Sequence, residues 1–224
     1  HLHGQLSYRR SINLATVAKI RYMFLFAIFT LGSYFFIQDY VAHEYDFLTP
    51  LDKAFPFMPD FIWLYHSLMP VIAATMVLLV KSRRNFFTVF WAGLLATVLI
   101  NVFYILLPSF YPRPDFIPET LSEHILYSTY QVDNSSNTFP SGHVAYAWLM
   151  FYGAIHSPKI KSLPALGRLY LLWAIGITLS TLAIKAHYVI DVIGGFAVAS
   201  FCFYVVKSII EKRNYYKEKC KTET

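Results

Sequence analysis

Lys185-Ala186-His187-Tyr188-Val189-Ile190-Asp191 separates two apolar runs, residues 169–184 and 189–206. So short a connection makes the two runs a tight helical hairpin. His187 and Asp191 are four apart, so on a helix both project from one face. A carboxylate there holds an imidazole in one tautomer and stabilises its positive form. Such groups inside apolar spans are costly, and a functional role is the default reading. The blander reading is a satisfied polar pair at a helix end.

Further apolar runs lie at 20–37, 61–80, 86–107 and 141–157. Six runs fit 224 residues, since a span takes ~20 residues. Charged residues are 14% of the chain, against ~25% in soluble domains. The expected fold is all-α: a six-helix transmembrane bundle with short interfacial helices in the outer loops. Residues 1–224 read as one integral membrane catalytic domain. Residues 1–19 read as a cytoplasmic N-terminal segment, and residues 208–224 as a cytoplasmic basic tail.

Charge placement orients the bundle. The termini and even-numbered connections carry all the Lys and Arg except Lys53, Arg113 and Lys185, which is 16 of 19. The positive-inside rule then puts both termini in the cytoplasm, in a plasma or bacterial inner membrane. Arg113, His143, His187 and Asp191 converge on the opposite, extracytoplasmic side. The net charge of +6 calls for anionic lipid at the cytoplasmic rim rather than a nucleic acid. Cys202 and Cys220 define no disulfide framework. Residues 121–130 read as an amphipathic interfacial helix and residues 40–60 as a second outer cap.

Phe139-Pro140-Ser141-Gly142-His143 opens the fourth run. Pro140 ends a loop, Ser141 suits a helix cap, and Gly142 permits close backbone approach. Free amides at a helix start bind anions, so Ser141 and Gly142 are expected to contact a phosphate. His143 beside that phosphate suits proton transfer, and His187 backed by Asp191 suits nucleophilic attack. Arg113 falls on the same side as these residues and joins their site, or otherwise snorkels at the interface. Tyr188 is expected beside the substrate, or otherwise in an aromatic belt.

Ser141-Gly142-His143 and His187-Tyr188-Val189-Ile190-Asp191-Val192-Ile193-Gly194 together resemble the motifs of the type-2 phosphatidic acid phosphatase superfamily. Arg113-Pro114 resembles the end of that family's first motif. The resemblance, which extends over most of the chain, implies nucleophile His187, orienting Asp191, acid–base His143, and phosphate contacts from Arg113, Ser141 and Gly142. It implies no metal and no other cofactor. The implied partner is a membrane lipid carrying a phosphate or phosphodiester, with a possible hydroxyl acceptor lipid. The expected function is lipid phosphoester hydrolysis at the outer leaflet through a phosphohistidine. The first alternative is a headgroup phosphotransferase resembling the sphingomyelin and inositol phosphorylceramide synthases. The second is a non-catalytic lipid transporter or scaffold.

Two positions depart from the family pattern. Leu106 stands where a Lys is usual, and Ser180-Thr181 where Ser-Arg is usual. Lys185, one turn beyond Thr181 on a continuing helix, is expected to replace the missing charge.

Overall fold

The computed structural model describes residues 14–41 and 44–222. Arg9, Arg10, His43 and the last two residues of the basic tail lie outside the described residues. Among the described residues ten α-helices follow in chain order: α1 (Thr16–Tyr40), α2 (Pro50–Ala54), α3 (Ile62–His66), α4 (Leu68–Ala74), α5 (Arg83–Leu106), α6 (Leu121–Val132), α7 (Gly142–Ile155), α8 (Pro158–Lys161), α9 (Pro164–Ala183) and α10 (Val189–Thr222). Among the described residues there is no β-strand, only isolated bridges such as Tyr45 with Ser109.

Among the described residues five segments are long and apolar enough to cross a membrane: α1, residues Pro59–Leu79, α5, α9, and α10 as far as Tyr215. The remaining apolar run, residues 141–157, became α7, whose 14 residues span only ~21 Å against a hydrocarbon core of ~30 Å. These helices are apolar around most of their circumference. Phe24, Leu25 and Phe36 of α1 point outward, as do Leu169 and Leu172 of α9. A helix apolar on every side is at home only in lipid or in a protein core.

Without water to exclude, close packing holds the bundle together, and small residues favour it. α7 sits centrally against α5, α9 and α10. Ala92 and Ala96 of α5 and Ala145 and Ala147 of α7 are fully buried at these contacts. Several polar side chains in the spans are hydrogen-bonded. Lys19 donates to the carbonyls of Val77 (3.3 Å) and Val80 (2.6 Å), capping the end of the second apolar segment. Ser67, between α3 and α4, donates to Leu64 O at 2.6 Å and accepts from Trp173 Nε1 at 2.9 Å.

The connections at one end are folded. Thr49 and Asp52 form a capping box that starts α2. Thr120 and Glu123 form another at α6, whose exposed face carries Leu121, Tyr127 and Val132. The backbone N–H of Met58 bonds Ala183 O at 2.9 Å, so the α2 segment lies against the end of α9.

Candidate active site

Three chain segments meet at this folded end. The first is the start of α7. Ser141 caps it, its Oγ accepting from Val144 N at 3.4 Å. Its own N–H donates to Asp191 O at 2.9 Å, pinning α7 to the first turn of α10. Tyr104 Oη donates to Pro140 O at 3.2 Å, fixing the approach to the helix. His143 therefore stands on the first turn of α7, facing α10.

The second segment is the α9–α10 turn. α9 ends at Ala183, and Lys185 takes a left-handed conformation with φ 53°. The N–H of Lys185 bonds Leu182 O at 3.1 Å and that of Ala186 bonds Thr181 O at 2.9 Å. This is a Schellman ending, with lysine at the position that glycine usually holds. Tyr130 donates to Ile184 O, and Arg113 Nη1 donates to Lys185 O at 3.0 Å. The turn delivers His187 into the site, and α10 starts two residues later.

His187 is buried, and its Nδ1 lies 2.9 Å from Thr138 O. A carbonyl only accepts, so Nδ1 carries a proton, and in the neutral ring the lone pair is left on Nε2. Asp191 Oδ2 lies farther from Nδ1, at 3.5 Å, and accepts the Tyr188 N–H at 2.8 Å. Asp191 is fully buried behind the imidazole, and its Oδ1 has no hydrogen-bond partner. Thr138 thus sets the tautomer, while Asp191 caps α10 and supplies negative field. Spacing pointed to the carboxylate for both tasks. Any residue has a carbonyl, so no sequence signal marked Thr138.

The third segment is the loop carrying Arg113. Its Nη2 donates to Asn134 O at 2.9 Å and lies 3.7 Å from Asp133 Oδ2; its Nε is buried without a partner. Its guanidinium also lies 4.8 Å from the centre of the Tyr130 ring.

A cavity of about 610 Å³ brings these parts together, within the ~300–1,000 Å³ usual for ligand sites. His143, His187, Gly142, Arg113 and Asp133 line it, and the two imidazole centres are 6.4 Å apart. Ser141 and Asp191 stand behind the wall. The cavity extends between α1, α5 and α6, past His124. Its position is opposite the Arg84–Glu211 ion pair and the His156–Lys207 contact, which close the other end.

Two expected substrate contacts are corrected. Lys185 does not continue α9, so it does not share a face with Thr181. Its ammonium instead donates to Asp52 O (3.0 Å) and Phe55 O (2.5 Å) at the end of α2. Burial pulls its pKa below the ordinary lysine value, and Asp52 pulls the other way. Tyr188 is also turned away from the cavity. It stacks on Tyr111 with centres 4.2 Å apart, and its hydroxyl donates to Asp46 at 2.6 Å. The sequence reading missed Asp133, Tyr65, Asp46 and Asp52, which no motif marks.

Lys185→Met should keep the left-handed strain and lose both charge-assisted bonds, for a loss of about 1–2 kcal/mol. Lys185→Gly should lose the same bonds but relieve ~1 kcal/mol of strain. Thermal melting in detergent should therefore rank Lys185→Gly above Lys185→Met. Both should keep turnover within about threefold, because the ammonium lies outside the cavity. A loss of turnover comparable to that of a His143 variant would return Lys185 to the phosphate site.

The model of the PAP2 superfamily matches residues 89–215, which contain Arg113, His143, His187 and Asp191. Phosphatidylglycerophosphatase B of Bacillus subtilis (strain 168) is 32% identical over 114 residues, 48% of this chain and 50% of that relative. The chain thus spans about half the length of the curated relative it matches. No solved structure matches the chain. A match over more than half of the sequence, holding both histidines of one cavity, decides the family: the chain belongs to the PAP2 superfamily.

Proposed function

We propose that the protein is a membrane-embedded lipid phosphatase that works through a phosphohistidine. The observation that carries this reading is the pair of imidazoles 6.4 Å apart on one cavity, with Nδ1 of His187 tied to a carbonyl. Nε2 of His187 attacks phosphorus as the ester P–O bond breaks, and His143 gives its proton to the leaving oxygen. His143 then takes a proton from water, whose oxygen attacks phosphorus. The N–P bond breaks and inorganic phosphate leaves. Arg113 and the amides at the start of α7 bind the phosphate oxygens, and no step calls on a metal. Family membership and the similarity to a phosphatidylglycerophosphatase support hydrolysis as the reaction.

In this reading α7 is the sixth span, shortened because Ser141 starts it below the outer surface. α6 lies at the interface with its apolar side in lipid. The excess of Lys and Arg at the opposite end supports an extracytoplasmic site with both termini inside.

Transfer to a lipid hydroxyl is the second reading, favoured by Leu106 and Thr181 where the family usually has cations. Thr181 Oγ1 only donates back to Thr178 O at 2.8 Å. Fewer cations suit a singly charged diester. Purified protein should be given a labelled lipid phosphomonoester with and without a hydroxyl lipid. Release of inorganic phosphate in both arms is the expected result. A new phospholipid in place of free phosphate establishes transfer, and neither product removes both readings.

A further inference from the structure

Tyr65, on α3, lies outside the matched residues 89–215 and belongs to no motif of the site. It is buried, and its ring is nearly parallel to that of His143, with centres 3.9 Å apart and planes 19° apart. Its hydroxyl is 3.4 Å from Asp133 Oδ2, long for a hydrogen bond to a carboxylate. The ring face, rather than the hydroxyl, makes the close contact. Asp133 also accepts from Tyr34 and lies beside Arg113. Tyr65 therefore fills the space between the imidazole of His143 and the Arg113–Asp133 pair.

A proton donor acts only when its N–H points at the leaving oxygen, so ring-plane freedom lowers the rate. A planar partner on one face removes that freedom without taking either nitrogen, and both are needed for proton shuttling. An aromatic face also attracts the imidazolium form that the acid step consumes. We propose that Tyr65 is the positioning residue for His143, holding the plane of the acid–base imidazole by stacking on it. This rests on the phosphatase reading, which gives His143 the proton transfers.

The test uses the full chain in detergent micelles with a lipid phosphate and with 4-nitrophenyl phosphate. Tyr65→Leu should lower kcat on the lipid by about 30–100-fold, within the span of general acid–base effects, with KM changed less than about threefold. Tyr65→Phe keeps the stacking face and should retain at least about a third of kcat. With 4-nitrophenyl phosphate, whose leaving group needs no proton, Tyr65→Leu should still phosphorylate itself and should accumulate phosphoenzyme, because water activation is slowed. Where leucine prevents folding, Tyr65→Met gives the same reading, keeping apolar bulk without a planar face.

An inactive His143→Ala beside a Tyr65→Leu enzyme within threefold of wild type would overturn the proposal and leave the phosphatase reading intact. Equal damage in Tyr65→Phe and Tyr65→Leu would overturn it too, by assigning the effect to the hydroxyl. Full activity in His143→Ala would instead remove the acid–base assignment on which the proposal stands.

Discussion

His187→Ala is expected to lower turnover of a lipid phosphate by about 10⁴-fold or more, because in the proposed mechanism it deletes the atom that attacks phosphorus. Nothing else at the cavity replaces it. His143 lies 6.4 Å away, on the first turn of α7, with its ring stacked on Tyr65. The variant should fold, since the imidazole contributes one hydrogen bond, to Thr138 O, and the turn that carries it is built by backbone bonds. Quenching with labelled substrate should trap phosphoprotein in the wild type and none in His187→Ala. His143→Ala should give phosphoprotein only from an activated ester and should release it slowly. Asp191→Asn should lose less, about 10–100-fold. The asparagine carbonyl still accepts the Tyr188 N–H, and Thr138 still holds the proton on Nδ1. What it loses is a buried negative charge beside a ring that, in the proposed mechanism, becomes positive as the N–P bond forms. Equal losses in Asp191→Asn and His187→Ala would mean that the carboxylate, not the carbonyl, sets the tautomer. His187→Ala with more than about 1% of wild-type turnover would remove the nucleophile.

Much of this arrangement can be read from the chain, and the unread part has a physical pattern. Apolar runs and basic residues report composition, so the segments that became α1, α5, α9 and α10 stand out. α7 stands out less because a run of apolar residues does not show where Ser141 will cap it. The spacing of His187 and Asp191 reports a shared helix face, and the two do lie together in the first turn of α10 and the residue pair before it. Lys185 was misread because the sequence carries no glycine at the end of α9. The helix ends there anyway, and the left-handed lysine is held by carbonyls of α2, some 130 residues away in sequence. Tyr188 was misread as a substrate contact because its partner, Asp46, lies in a connection 142 residues earlier in the chain. Thr138 and Tyr65 act through a backbone oxygen and a ring face. Neither property varies with sequence in a way that a motif records.

Gly195→Ala is also expected to damage the site, although position 195 touches no reacting group. A Cβ there would land on the carbonyl oxygen of Ser141, 3.1 Å from Val144 Cβ and 3.3 Å from Ala145 N. Backbone atoms of a helix start cannot rotate away as a side chain end can, so α7 and α10 would separate. The Ser141 N–H to Asp191 O bond spans the same gap and would stretch with it. Overpacking of this kind costs about 1–3 kcal/mol in stability. The larger effect is on the reaction, since His143 rides on α7 and His187 on the turn that leads into α10, the two helices being pushed apart. A displacement of ~1 Å at a reacting pair costs about 10²-fold in rate. Gly195→Ala should therefore lower kcat by about 100-fold while a melting curve still shows a folded protein. Gly32→Ala is the control: nothing lies within 4 Å of its added Cβ, so turnover should not change. Alanine also favours an exposed helix by ~1 kcal/mol over glycine, so that variant should melt no lower than wild type. Wild-type turnover in Gly195→Ala would mean that the helices tolerate a wider gap, and the 6.4 Å spacing of the imidazoles would then lose its standing as the determinant of rate.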